Sequence, residues 1–154
     1  MRPSTPPSAR GLTGGWDKVF PAYAQTQLFA LVSDIETYPH FIPGCVATRV
    51  LERESERSWR VDNLFGFGPV RSRFTSRAHL HPPERLEISS SDGPWRDFRL
   101  TWRMMPEGDG CRVGCRFSAE FRSLLTATMA RAGLAELERQ TIAAFEKRAR
   151  ILYG

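Results

Sequence analysis

Cysteine is scarce and poorly spaced for covalent or metal chemistry. The 154 residues hold three, Cys45, Cys111 and Cys115, an odd set with no C-x-x-C pair. Cys111 and Cys115 fall in a strand-like run on the same face, about 13 Å apart at ~3.3 Å rise per residue, which exceeds the reach of a disulfide. Free thiols in a reducing compartment are expected. Without neighbouring histidines the same pair is a poor start for zinc, so no metal is expected. Long apolar runs are also missing: no stretch approaches the roughly 20 residues a spanning helix requires. Paired carboxylates, H-E-x-x-H, G-x-S-x-G and a phosphate-binding glycine loop are all absent, which removes the reaction classes that depend on them. Lysine is nearly absent, since 20 of the 22 basic residues are arginine. The net charge of +5 is spread thinly, with no basic block to choose among nucleic acid, anionic lipid and an acidic partner.

What is present is a core. Apolar residues make up 41% of the chain, and 17 aromatics (ten Phe, four Trp, three Tyr) are spread along it, enough for one domain of ordinary size. Residues 2 to 15, RPSTPPSARGLTGG, offer Leu12 as their one large apolar group, and residues 1–15 are expected to be a disordered tail. Their two arginines faintly echo a transit peptide, but no amphipathic pattern or secretory apolar segment accompanies them. The protein is expected to be cytoplasmic, with peripheral contact at an inner membrane as an option.

From Trp16 a first strand is read to Tyr23, then a short helix over Gln25 to Asp34 from Leu28, Leu31 and Val32. Pro39 and Pro43 exclude a regular helix through Tyr38-Pro39-His40-Phe41-Ile42-Pro43-Gly44-Cys45, which is read as a stiffened loop bearing aromatic groups. Between residues 46 and 121 the period is two. Val70, Ser72, Phe74, Ser76, Ala78 and Leu80 oppose Arg71, Arg73, Thr75, Arg77 and His79. Phe98, Leu100, Trp102 and Met104 oppose Asp97, Arg99, Thr101 and Arg103. Cys111, Val113, Cys115, Phe117, Ala119 and Phe121 oppose Arg112, Gly114, Arg116, Ser118 and Glu120. Such one-sided alternation indicates an antiparallel sheet with one wet face. Turns are expected at Gly66-Phe67-Gly68-Pro69, His81-Pro82-Pro83-Glu84, Asp92-Gly93-Pro94 and Glu107-Gly108-Asp109-Gly110. From Arg122 onward Leu134, Leu137, Thr141, Phe145, Ala149 and Leu152 form a helical stripe, with Glu136, Arg139, Glu146, Lys147 and Arg150 on the wet side.

About seven strands followed by a long helix predict an α+β helix-grip fold over residues 16–154, a curved antiparallel sheet wrapped around the C-terminal helix. Phe74, Phe98, Leu100, Trp102, Phe117, Leu134, Leu137 and Phe145 would face one another there and line either an internal cavity or a solid core. Tyr38, Phe41, Ile42 and Pro43 would gate that space or touch a membrane, the alternative being a plug in the core. Glu138 falls beside the apolar stripe, with its head in water as the expected position. His40, His79 and His81 are read as solvated or capping groups, and Asp97 and Glu87 as outer-face residues, so no catalytic set is expected.

The stretch Tyr38 to Cys45 resembles the Y-x-x-F-[LIV]-P-W-C motif of the coenzyme Q-binding family within the START-like superfamily. The resemblance continues through Val50-Leu51-Glu52-Arg53, Phe74-Thr75-Ser76-Arg77, Pro82-Pro83-Glu84-Arg85, Asp92-Gly93-Pro94, Trp102-Arg103 and the Phe145, Arg148, Ala149 pattern of the last helix. Gly44 departs from it, standing where that family usually has tryptophan. The resemblance implies a START-like lipid-binding domain whose ligand is ubiquinone or a related polyprenyl quinone, carried to respiratory or biosynthetic enzymes, with no other cofactor. It also implies two alternatives from the same superfamily, a polyketide cyclase or dehydratase and a ribosome-association toxin that blocks subunit joining. Arg71, Arg73, Arg77, Arg99, Arg103, Arg112 and Arg116 on the outer strand face would meet an anionic membrane surface or ribosomal RNA, or would simply be solvated. The oligomeric state, a dimer included, is left open.

Overall fold

The computed structural model describes residues 8–67 and 70–154. Ten elements follow in chain order: β1 Gly11–Phe20, α1 Gln25–Ser33, a 3₁₀ helix Ile35–His40, β2 Cys45–Ser55, β3 Ser58–Phe67, β4 Val70–His81, β5 Arg85–Ser90, β6 Trp95–Glu107, β7 Gly110–Phe121 and α2 Leu124–Tyr153. The seven strands form one antiparallel sheet in the order β1-β7-β6-β5-β4-β3-β2, leaving β1 and β2 at the edges. Register irregularities in β2 and near Trp95 of β6 are the features that bend a sheet and increase its twist. The helix-grip prediction holds.

Three boundaries differ from expectation. The first strand begins at Gly11 rather than Trp16, because Gly11 to Gly15 pair with Glu120 to Arg116 of β7. Backbone hydrogen bonds from a neighbouring strand thus order a segment whose composition alone could not. Tyr38-Pro39-His40 lies in a 3₁₀ turn rather than an extended loop; Pro39 removes one donor, while Phe41 N–H and Ile42 N–H both donate to Tyr38 O. Leu152 is 44% exposed, off the buried stripe, and Tyr153 takes its place by donating to Gln27 O at 2.7 Å. The turn expected at Gly66-Phe67-Gly68-Pro69 falls partly outside the described residues, whereas the other three connect β4–β5, β5–β6 and β6–β7.

The register arranges the concave face into rungs that cross the strands. One rung runs Trp16, Cys115, Trp102, Leu86, Leu80, and every member is buried. Phe145 and Ala149 of α2 close over this region, together with Leu28, Phe29, Leu31 and Val32 of α1. Trp16, Phe20 and Trp102 surround Phe145, with ring centroids at 5.8, 5.2 and 5.7 Å. At the opposite end Ala119, Phe121 and Ala127 form a smaller cluster with Leu12, Trp95, Phe98 and Ala130.

α2 begins at Ser123, whose Oγ accepts the Thr126 N–H at 3.3 Å, a helix N-cap. It lies along the free edge of β1 through polar contacts. Arg131 donates to Ala9 O and Gly11 O, Glu138 accepts from Gly15 N–H at 3.0 Å, and Lys18 pairs with Glu146. An edge strand with open backbone groups is a template for wrong pairing, and these contacts cover it.

Candidate functional site

Between the two closed clusters the helix loses its hold on the sheet. α2 buries Ala127, Phe145 and Ala149, and no residue from Thr128 to Ala144 is buried. The rung beneath that stretch is Gly14, Phe117, Leu100, Ile88, and Phe117, Leu100 and Ile88 are only half-buried. Phe98, one rung further on, is half-buried too, as are Leu134, Leu137 and Thr141 on the helix side. Apolar groups on both walls therefore keep contact with solvent, forming a seam between sheet and helix. The expected cavity would lie along it.

The anticipated lining residues divide into two sets. Phe98, Leu100, Phe117, Leu134 and Leu137 border the seam. Trp102 and Phe145 instead belong to the solid core, at 2% and 0% exposure, because their rings stack on each other and fill the space themselves. Phe74 is also buried, in an aromatic row that links Phe65, Phe74, Trp95, Phe98 and Phe121. Tyr38 is buried with its hydroxyl donating to Val32 O at 2.5 Å. Phe41 and Ile42 are half-buried against the main core, Phe41 edge-on to Tyr38, and Pro43 is half-buried beside them. The loop's apolar groups thus point inward. Gly44 sits at φ 81°, a left-handed conformation that suits glycine far better than the tryptophan of the resembling motif.

Two residues of the seam escape a reading by alternation alone. A Cβ on Gly14 would stand 2.6 Å from Glu138 Oε1 and 2.8 Å from the Phe117 ring. Only a residue without a side chain lets the ring lie on β1 while the carboxylate reaches Gly15 N–H. Glu138 is consequently docked on β1 rather than left in water. The signal was the facing of Gly14 and Phe117, visible only once the β1–β7 register is known.

The chemistry available near the seam is modest. Burial pushes the Cys115 thiol up to about 12 and Cys45 up to about 11, and raises Cys111 and Tyr38 as well. Thiols held so far above neutrality carry very little thiolate, the nucleophilic form. Among the described residues no group of three metal-ligating side chains occurs, and no helix is long and apolar enough to cross a membrane. The opposite sheet face carries two open hollows of about 740 and 440 Å³, walled by Arg60, Arg77, His79, Glu87, Asp97 and Arg99 and by Asp17, Arg103 and Arg116 respectively. Their charged walls suit polar contacts, and neither lies between sheet and helix. Arg60, Arg73, Arg77, Arg99 and Arg112 each face a carboxylate, so this face is largely an interleaved, solvated one.

Comparison with known proteins agrees with this geometry. The ribosome association toxin RatA of Pseudomonas aeruginosa is 30% identical over 133 residues, covering 86% of this chain and 92% of that protein. The mitochondrial coenzyme Q-binding protein COQ10 homolog B of Xenopus laevis is 30% identical over 133 residues, covering 83% of this chain and 54% of that protein. An 18 kDa protein of Caulobacter crescentus, solved in solution, is 32% identical with a TM-score of 0.74, covering 93% of this chain and 99% of that one. The family described as polyketide cyclase / dehydrase and lipid transport matches residues 21–146. With its START-like helix-grip fold and its apolar seam, this chain belongs to the polyketide cyclase / dehydrase and lipid transport family.

Proposed function

We propose that this chain binds a polyprenyl quinone, with ubiquinone the leading ligand, in the seam between the concave sheet face and α2, and hands it on without chemical change. One observation carries the reading: from Thr128 to Ala144 the helix buries no residue fully, while Phe98, Leu100, Phe117, Leu134 and Leu137 are only half-buried and leave some apolar surface uncovered. Apolar surface of that kind gains from an apolar occupant. Each buried CH₂ contributes about 0.8 kcal/mol, so one five-carbon isoprene unit contributes roughly 3 to 4 kcal/mol before costs. Five or six units would reach the practical ceiling near −18 kcal/mol. A carrier that must release its cargo therefore encloses the ring and a short part of the tail.

Binding rather than turnover is supported by the side chains at hand. The Glu138 carboxylate accepts from Gly15 N–H, and the Cys115 thiol is held protonated by burial. The coenzyme Q-binding protein of Xenopus laevis supports the ligand class, while RatA of Pseudomonas aeruginosa, matched over more of its length, keeps ribosome association as the competing reading. Organic extraction and native mass spectrometry of the purified protein discriminate among these. Co-purifying quinone is the expected result. Salt-sensitive cosedimentation with ribosomal subunits and no bound lipid, or turnover of a polyketide-like substrate, would overturn it.

A further inference from the structure

The outward surface of α2 changes character halfway along. Leu124, Leu125 and Met129 are 50%, 70% and 55% exposed, and the exposed positions between them and Glu136 are Thr128, Arg131, Ala132, Gly133 and Ala135. No acidic residue occurs in the helix before Glu136. After it the exposed positions carry Arg139, Gln140, Ala143, Lys147 and Arg150, with Ile151 and Leu152 exposed only in the last turn. Three large flexible apolar groups clustered on two adjacent turns are unusual for a surface that meets only water.

The rim of this patch is cationic. Arg122 donates to Gly93 O at 3.1 Å and Ser91 O at 2.7 Å, and Arg131 to Ala9 O at 3.1 Å and Gly11 O at 2.8 Å. Both guanidinium groups are thus fixed in place by neutral carbonyls, so their charge remains available to an anion. The carboxylates at this end, Asp92 and Glu120, are engaged by Thr75 N–H and Arg96. Beneath the patch, Ala127 and Ala130 belong to the cluster of Phe121, Trp95 and Phe98, and Phe98 lies in the rung next to the seam.

We propose that the first three turns of α2, through Leu124, Leu125 and Met129 with Arg122 and Arg131 at the rim, dock this protein on an anionic lipid bilayer. An apolar helical face bordered by arginine matches both layers of such a surface: side chains enter the acyl boundary while guanidinium groups meet head-group phosphates. Phe41 and Ile42 are half-buried against the main core and expose less apolar surface than Leu124, Leu125 and Met129. Docking here sets the smaller cluster of Ala119, Phe121 and Ala127, which borders the seam, against the bilayer, and the surface acts in this way whatever molecule fills the seam.

Flotation of the full chain with quinone-free vesicles tests it, comparing phosphatidylglycerol–phosphatidylcholine mixtures with phosphatidylcholine alone. The wild type should float with the anionic vesicles and far less with the neutral ones. Leu125→Asp and Met129→Asp should each reduce binding about tenfold or more, because each places a charge at the acyl boundary. Arg131→Gln should reduce it about fivefold, as expected for loss of ~1 kcal/mol from one near-surface cation. Leu51→Asp, at an exposed apolar position on β2 outside the patch, should float like the wild type. Thermal midpoints of the Leu125 and Met129 variants should match the wild type, and a Leu125→Trp variant, which keeps the patch apolar, should float normally and blue-shift on anionic vesicles. Wild-type protein that stays off anionic vesicles, or Leu125→Asp that floats unchanged, would overturn the proposal. So would a dimer that Leu125→Asp dissociates without altering vesicle binding, since the patch would then face a second copy. Quinone extraction is scored separately, so a chain that docks without carrying quinone would refute the ligand reading and leave this surface intact.

Discussion

One helix crosses one sheet, yet it behaves differently at its two ends. Near its C-terminus Phe145 and Ala149 sit at 0% exposure over Trp16, Cys115 and Trp102, with aromatic rings meeting on three sides. Half a helix away, Leu134 and Leu137 on the helix and Phe117 and Leu100 on the sheet are only half-buried. Both regions are apolar, so composition does not separate them. The closed rung supplies two indoles that fill the gap to the helix, whereas the open rung supplies Gly14, one phenyl ring and a leucine. Fold stability is concentrated in the first region, which leaves the second free to accept an occupant. The hold of α2 over the open region is polar and lies at its border, through Arg131 and Glu138 on β1.

Breaking the closed end should have the largest effect. Phe145→Ala removes a fully buried ring from a cluster that cannot collapse, which typically costs about 3 to 5 kcal/mol. For a chain of this size that is a fall in thermal midpoint on the order of 10 °C. Leu137→Ala, at the open end, should cost about 1 kcal/mol or less, because less surface is lost. Equal losses from the two truncations, measured by urea titration, would mean that both ends are equally packed.

The border between the regions comes next. Gly14→Ala forces a methyl to within 2.6 Å of Glu138 Oε1 and 2.8 Å of the Phe117 ring, and overpacking of this kind costs about 1 to 3 kcal/mol. Truncating the carboxylate should relieve part of it. In a double-mutant cycle Gly14→Ala with Glu138→Ala should therefore be less destabilised than the sum of the single changes. Strict additivity would show that the helix edge is not anchored there.

The closed rung also predicts an alkaline weakness. Cys115 ionises near 9 when unfolded and only near 12 in the fold, chiefly because of burial. Its contribution is present in full below pH 9 and is lost as pH rises toward 12, since above 9 the unfolded chain releases a proton that the native state keeps. At pH 10 the loss amounts to about 1.4 kcal/mol from this group alone. Stability measured between pH 8 and 10 should fall accordingly, and Cys115→Ala should remove no more than about half of the slope, because Cys45, raised by burial to about 11, loses nearly as much over the same range. A slope untouched by the substitution would mean that the thiol reaches water.

Much of the architecture was legible because alternation reports which face a residue occupies. Ser72 to Leu80, Phe98 to Met104 and Cys111 to Phe121 all face as their period implies. Alternation cannot say how far away the opposing helix stands. Trp102 and Phe98 share a strand face and read alike, but Phe145 stacks on Trp102 and buries it, whereas Phe98 stays partly exposed. Gly11 to Gly15 read as a tail because their pairing with β7 is a long-range contact, and the same contact hid the roles of Gly14 and Glu138. Leu124, Leu125 and Met129 were in view as letters; what sequence could not supply was that Ala127 and Ala130, rather than these larger groups, face the sheet.

The smallest stability effect carries the sharpest test of the open region. Leu137→Trp adds an indole to the helix wall above the seam. Between closed surfaces such an insertion costs about 1 to 3 kcal/mol, but at this half-buried position the ring can turn outward, so the unfolding free energy from urea titration should change by less than about 1 kcal/mol. The same ring should compete with a bound isoprenoid chain, lowering retained quinone at least tenfold in the extraction assay, the equivalent of about 1.4 kcal/mol. The two readouts separate the explanations. Marked destabilisation would place Leu137 in a packed core, and unchanged stability with unchanged quinone would locate the ligand elsewhere. Only stable protein with diminished cargo fits a seam held open between Phe117 and Leu137.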